Sequence, residues 1–370
     1  MRIGIDARIT YYSRGGIRNY VVHLLDALAA VDRESRYFVL HSRKDPTPPH
    51  PSPTFRSVAC WTPAHYRLDR LTFGLEAARL GLDLLHSPDF IPPAFGYRHS
   101  IITVHDLNFL YYPEFLTAES YRYYVQQIGW AVNRASHILV DSHATKADVV
   151  AHLDVLESKI TVAHLAADRA YRPQPPDVCC AVAAKYGLDP GYLIFVGTLE
   201  PRKNLPGLLT AYRQLLDEKV TAVPLVIVGT KGWLYDDVFQ KVQALRLASH
   251  VHFLHQVPDA DLPALYSAAT LLVSPSFYEG FGLPALEAMS CGTPVIVADR
   301  ASLPEIVGDA GLLADPDDPF TITRQMSRVL EDPALQARLS ERGLRQAARF
   351  TWARTAQVTL SAYRRVLDEG

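Results

Sequence analysis

The chain has 370 residues, 37 Lys and Arg against 39 Asp and Glu, and 48% hydrophobic residues, a near-neutral balance that offers nucleic acid no electrostatic footprint. Its length exceeds a single ordinary core and favours two domains. Four cysteines (Cys60, Cys179, Cys180, Cys291) fit neither a disulfide framework nor zinc spacing, and no apolar run is long enough to span a bilayer or read as a signal segment, so a cytoplasmic place is expected.

A strand is predicted over 2–6, and Ser13-Arg14-Gly15-Gly16-Ile17-Arg18-Asn19-Tyr20 then opens a helix over 18–30. Paired glycines there let a backbone approach phosphate or sugar. The segment is not the Gly-x-Gly-x-x-Gly of dinucleotide enzymes, so an oxidoreductase loses its main support. A strand over 37–40 leads into 41–53, whose prolines and polar residues predict an exposed loop. Further strands are expected over 84–86, 101–104 and 138–140, with helices over 118–133 and 142–151.

The strand over 101–104 ends in His105 and Asp106, where polar groups of a parallel strand point into a cleft. His105 is placed to hydrogen-bond a transferred sugar or stabilise positive charge at its reacting carbon, with Asp106 orienting it. A structural histidine held by a neighbouring carboxylate is the alternative.

The run Arg172-Pro173-Gln174-Pro175-Pro176 reads as an interdomain linker, and a second strand series follows over 193–196, 225–228, 251–254, 271–273 and 294–297. The fold class is therefore α/β, two Rossmann-like domains facing across a cleft, 1–172 and 173–350. Residues 351–370 hold a last helix whose apolar spacing needs a surface to cover.

In the second domain, Val196-Gly197-Thr198-Leu199-Glu200-Pro201-Arg202-Lys203-Asn204 runs from strand end to helix and sets two adjacent cations, Arg202 and Lys203, for anion binding. Asp259-Ala260-Asp261 has the spelling of a metal-binding Asp-x-Asp but reads better as a helix cap and first turn. The most informative stretch is Glu279-Gly280-Phe281-Gly282-Leu283-Pro284-Ala285-Leu286-Glu287. A strand ends near Ser274, the glycines let amides close on an anionic ligand, Pro284 suits a first helical turn, and the unpaired amides of that turn attract phosphate. Glu287, about one turn inside, can accept hydrogen bonds from both hydroxyls of a ribose, and Glu279 from sugar hydroxyls.

Together these segments resemble the family-four retaining glycosyltransferases, of GT-B fold, over nearly the whole chain from Ile3 to Trp352, with motifs most like the bacterial mannosyltransferase-type branch. The resemblance implies that Glu287 holds the nucleotide ribose, and that Glu279 with the amides of Gly280, Phe281, Gly282 and Leu283 contacts donor sugar and diphosphate. It matches Lys203 to a phosphate-binding lysine, Gly16 to a glycine beside the diphosphate, and His105 to a histidine near the sugar. It also implies that the last helix crosses back onto the first domain. Many members carry arginine directly after the glycine matching Gly197; here Thr198 stands there, and Arg202 is assigned its electrostatic task.

The expected reaction moves a hexose, mannose before glucose or N-acetylhexosamine, from a nucleotide-diphosphate sugar (GDP-mannose or a UDP-sugar) to a glycan, lipid-linked sugar or small-molecule hydroxyl. No metal and no cofactor are expected. Front-face substitution with retention follows by family analogy, since no second carboxylate is placed as nucleophile. A nucleotide-sugar epimerase and a non-catalytic nucleotide-sugar-binding protein remain the rivals. Acceptor reading falls to first-domain loops, with 11–14, 61–70 and 87–97 as candidate surfaces. Peripheral membrane contact stays open, Arg67 with Arg70 and Arg342 with Arg345 being helix-spaced basic pairs.

Overall fold

The computed structural model describes residues 1–12, 15–46, 54–66, 68–220, 223–232 and 235–368. Ser13 and Arg14 of the glycine segment, residues 47–53 of the expected loop, and Arg67 lie outside these. The chain divides into two compact units, the first Met1–Leu165 with Thr351–Gly370, the second Ala166–Phe350.

The first unit runs β1 (Arg2–Asp6), α1 (Ile9–Tyr12), α2 (Gly16–Val31), β2 (Arg36–Ser42), β3 (Phe55–Cys60), α3 (Asp69–Ala78), β4 (Leu82–Ser87), β5 (Tyr97–Val104), α4 (Asn108–Tyr111), α5 (Ala118–Arg134), β6 (His137–Val140), α6 (His143–Leu153) and β7 (Ile160–Val162). Among the described residues its strands form one parallel sheet in the order β3-β2-β1-β4-β5-β6-β7. The order reverses between β1 and β4, so the carboxyl ends of β1, β4 and β5 gather where such sheets bind ligands. Thr117 and Ser142 cap α5 and α6, each hydroxyl accepting an amide three residues on.

The second unit runs α7 (Pro176–Lys185), β8 (Leu193–Val196), α8 (Leu205–Asp217), β9 (Leu225–Val228), α9 (Asp236–Ala244), β10 (Val251–Leu254), α10 (Leu262–Ala268), β11 (Leu271–Ser274), α11 (Leu283–Ser290), β12 (Val295–Ala298), α12 (Leu303–Val307), β13 (Leu312–Ala314), α13 (Pro319–Glu331) and α14 (Pro333–Ala347). Its parallel sheet has the order β10-β9-β8-β11-β12-β13 and reverses between β8 and β11. Central strands such as Leu-Ile-Phe-Val of β8 and Leu-Val-Ile-Val of β9 are apolar throughout because helices cover both faces.

The last helix, α15 (Trp352–Asp368), returns to the first unit and packs along α2, burying Thr355, Ala356, Thr359, Leu360, Tyr363 and Val366. Each large apolar side chain so covered contributes about 1.5–3 kcal/mol. Polar contacts fix its register: the Tyr363 hydroxyl meets His86 Nδ1 at 2.6 Å, and Thr355 Oγ1 donates to the His164 carbonyl at 2.6 Å.

Two sequence expectations need correction. His41 and Ser42 do not open an exposed loop; they are buried in β2, paired with Ala59 and Cys60 of β3. The proline run is not the boundary either, since the units part between Leu165 and Ala166. The run is tied into the second unit, where the Gln174 amide donates to Ser267 Oγ (3.2 Å) and the Tyr171 ring lies 5.9 Å from Tyr266.

Candidate functional site

In the second unit the adjacent strands β8 and β11 each deliver a loop to the switch point, residues 197–204 from one and 275–282 from the other. The two loops are bonded to each other, the Phe277 amide donating to the Arg202 carbonyl at 2.9 Å. Asn204, at φ +54°, starts α8; its side-chain oxygen accepts the Gly207 amide (3.2 Å), and its amide group donates to the Pro316 carbonyl (2.7 Å). This fixes the peptide that carries Arg202 and Lys203.

Their charges converge on one carboxylate. Lys203 Nζ donates to Glu279 Oε1 at 2.6 Å, and Arg202 Nη1 donates to Glu279 Oε2 at 2.8 Å and to the Tyr278 carbonyl at 2.8 Å. Burial would raise the Glu279 pKa, but Lys203 and Arg202 outweigh it and hold the carboxylate at about 2. Arg202 also gives Nε and Nη2 to Glu200 Oε1 (3.1 and 2.7 Å). The guanidinium thus directs most of its donors at protein acceptors and clamps the two loops together, at the position to which the sequence reading gave the electrostatic task of the arginine absent at Thr198.

Past Glu279 the chain turns into α11 through Gly282, whose φ of +103° belongs to glycine. A Cβ there would lie 2.7 Å from Leu303 Cδ2. Pro284 stands in the first turn as expected, so the amides of residues 282 and 283 begin a helix with no side-chain cap. Ser302 braces the loop from β12, its hydroxyl lying 2.8 Å from both the Glu279 and the Phe281 carbonyl oxygens. Gly280 lies inside this braced turn. Glu287 faces Tyr266, whose hydroxyl donates to Oε2 at 2.9 Å. Burial raises the Glu287 carboxyl to about 7, with Asp259 adding repulsion and Tyr266 opposing.

In the first unit His105 follows β5. Its Nδ1 lies 2.6 Å from Asp141 Oδ2 and its Nε2 2.9 Å from the Pro88 carbonyl, two acceptors that only the doubly protonated ring satisfies together. Burial works against that charge, but Asp141 overcomes it and raises the imidazole to about 9. Asp106 does not orient this ring. Its Oδ1 accepts the Asn108 amide (3.1 Å) at the start of α4, the local preference of an aspartate ahead of a turn. With both nitrogens engaged and a positive charge, His105 suits an anionic oxygen better than a cationic sugar carbon. Tyr20, one turn into α2 from Gly16, meets His105 edge-on at 4.9 Å, and the space beside the Gly16 Cα is open, so packing inside the chain does not demand a glycine there.

Asp259 and Asp261 precede α10 as expected, but Asp261 makes no side-chain cap; its Oδ2 takes Lys185 Nζ and the Tyr186 hydroxyl, each at 2.5 Å. Sequence reasoning missed Asp141, Tyr266, Glu200 and Ser302. Asp141 carried a signal, since it follows β6 at the same sheet edge as His105; the other three are set by tertiary neighbours.

Residues 184–346 match the family model "Glycosyl transferases group 1" and residues 14–171 the model "Glycosyltransferase Family 4". The O-antigen chain mannosyltransferase B of Escherichia coli is 38% identical over 282 residues, 76% of this chain and 74% of that protein. The serotype-specific mannosyltransferase WbdA of Escherichia coli is 30% identical over 64% of this chain, which spans 29% of that longer protein. The D-inositol 3-phosphate glycosyltransferase of Salinispora arenicola is 34% identical over 63% of this chain and 55% of its own. Among solved structures, sucrose-phosphate synthase from Thermosynechococcus elongatus superposes with a TM-score of 0.81 at 22% identity over both whole chains. Anabaena Alr3699/HepE in complex with UDP and glucose gives 0.76 at 18% identity, covering 98% of this chain and 99% of that one, and both likenesses carry the GT-B fold.

Proposed function

We infer the reaction from the family, because the chain belongs to glycosyltransferase family 4. It is a transferase built from two Rossmann-like units, of GT-B architecture. We propose that it moves mannose from a nucleotide-diphosphate donor, GDP-mannose first, to a hydroxyl of a glycan acceptor, with retention and without a metal or cofactor.

The observation that carries this is the convergence of Lys203, Arg202 and Glu279 on two bonded loops at the second unit's switch point, ahead of the helix that carries Glu287 one turn in. Breaking the bond from sugar to diphosphate leaves negative charge on phosphate. Lys203 and the amides opening α11 supply positive potential where burial makes it count. Glu279 holds the two cations in register and offers its carboxylate to sugar hydroxyls, while Glu287 accepts the ribose hydroxyls. The leaving phosphate oxygen takes the acceptor proton, so no protein base is required. The mannosyl assignment is supported by the identity with the O-antigen mannosyltransferase of Escherichia coli.

A donor screen by thermal shift with GDP-mannose, UDP-glucose and UDP-N-acetylglucosamine, followed by proton NMR of the product, tests this reading. Stabilisation by GDP-mannose and an α-linked product support it. A β-linked product ends the retaining mechanism. An altered donor without acceptor points to an epimerase, and binding without chemistry to a non-catalytic protein.

A further inference from the structure

The carboxyl ends of β1 and β4 in the first unit hold a polar cluster that the chemistry above does not use. Arg8 is 1% exposed and gripped by two carboxylates: Nε and Nη2 donate to Asp6 Oδ1 and Oδ2 (2.9 and 2.7 Å), and Nη1 and Nη2 donate to Asp69 Oδ1 and Oδ2 (2.7 and 3.3 Å). Nη1 also reaches the Thr62 carbonyl at 3.2 Å, which engages all five N–H groups. Beside it His65 Nε2 bonds Asp89 Oδ2 at 2.7 Å, joining two of the three surfaces that the sequence offered for acceptor reading, 61–70 and 87–97.

Asp6, Arg8, His65, Asp69 and Asp89 line a cavity of about 20 Å³ that Ser87 also lines. Ser87 is 1% exposed, and its hydroxyl has no hydrogen-bond partner among the described residues. Of the ion-paired side chains around the cavity, His65 is the most exposed, at 32%, and marks the side toward solvent.

We propose that this cavity is a subsite for one hydroxyl of an uncharged sugar on the acceptor, held between the Ser87 hydroxyl and the carboxylates beside it. The volume admits one oxygen-sized group. A buried hydroxyl without a partner is the kind of group that a ligand or an ordered water completes. Among the described lining residues three carboxylates stand against two basic groups, and both are spent: Arg8 has all five N–H groups engaged and His65 Nε2 is paired with Asp89. A phosphorylated acceptor would meet repulsion there, whereas a sugar hydroxyl can donate to carboxylate and accept from serine. The inference rests on the glycosyltransferase reading and narrows it, choosing a neutral glycan acceptor over a phosphorylated polyol.

The test uses the full chain, with GDP-mannose binding by calorimetry as the control. Saturation-transfer NMR with methyl α-D-mannopyranoside and methyl N-acetyl-β-D-glucosaminide reads the subsite, and myo-inositol 3-phosphate is the competitor. Wild type is expected to bind at least one pyranoside, Ser87→Val to lose at least tenfold in that affinity, and His65→Gln to weaken it, while the GDP-mannose Kd stays within about twofold and inositol phosphate fails to compete. Ser87→Ala, which removes only the oxygen, replaces Ser87→Val if the latter does not fold. Unchanged pyranoside binding in the Ser87 variants, no pyranoside binding by a wild type that binds GDP-mannose, or displacement by inositol phosphate each overturns the proposal. Absence of nucleotide-sugar binding by wild type would instead sink the parent reading.

Discussion

Lys203 and Glu279, 76 positions apart in sequence, form a 2.6 Å ion pair in which both side chains are only 10% exposed. The Glu279 carboxylate thereby fixes in place, before any donor arrives, the cation matched to the donor phosphate. Glu279→Gln should leave Lys203 and Arg202 without their shared anion, which costs about 3–5 kcal/mol when a buried pair is broken from one side. Chemical denaturation reads this directly, and kcat/KM for transfer should fall by about 10²-fold. The Glu279 pKa is depressed from 4.5 to about 2, so its stabilisation is full above about pH 4.5 and is lost as pH falls through 2. In Glu279→Gln this acid-side loss disappears, and an unchanged profile would contradict the pairing.

Glu287 behaves in the opposite sense. Its pKa is raised from 4.5 to about 7, so its contribution to stability is full below about pH 4.5 and is lost as pH rises through 7. Two ribose hydroxyls donating to it favour the ionised form, and donor binding at pH 6 should release about one proton. Calorimetry in buffers of different ionisation enthalpy measures that number, and no release would show that the ribose binds elsewhere. Glu287→Ala should weaken donor binding by about 10- to 100-fold, as expected for lost hydrogen bonds to a charged group.

His105 separates its two neighbouring aspartates. Asp141→Asn should lower the imidazole pKa from about 9 and, by removing the charge it places near the site, cut kcat/KM by about 10²-fold, while Asp106→Ala, which loses the bond to the Asn108 amide, costs about 1 kcal/mol of stability and leaves kcat/KM within about threefold. In wild type the raised histidine stabilises fully below about pH 6.5 and loses this as pH rises through 9. An NMR titration of the ring carbons follows it, and equal effects of the two variants would restore Asp106 as the orienting group.

Gly282→Ala forces a side chain into φ +103° and against Leu303. About 1–3 kcal/mol of strain should appear as a lower Tm, with weaker donor binding because the first amides of α11 shift. Retained donor affinity would mean that those amides do not touch the ligand.

The strands that sequence reading located are those with continuous apolar runs, such as 193–196 and 225–228, because burial on both faces writes itself into composition. The strands it missed are edges: β3 mixes Arg56 and Ser57 into its run, and β7 and β13 have three residues each, too few for a period to show. The site was legible in the same way. Glu279, Gly282 and Lys203 sit in local motifs with a strand before and a helix after. The partner of His105 was misread because Asp106 is its neighbour in sequence, whereas the ladder sets Val140, and so Asp141, beside Val104 on β5.

The return of α15 to the first unit carries a cost in the order of assembly. A ribosome releases residues 166–350 as one uninterrupted stretch, so the second unit can complete its core while synthesis continues. The first unit cannot. Its α2 waits with Tyr20 and His23 facing the missing Trp352, and His86 without the Tyr363 hydroxyl, until residues 351–370 emerge. Of the two units, the one translated first is therefore the one completed second, and during that interval a chaperone or a stray apolar surface finds α2 uncovered.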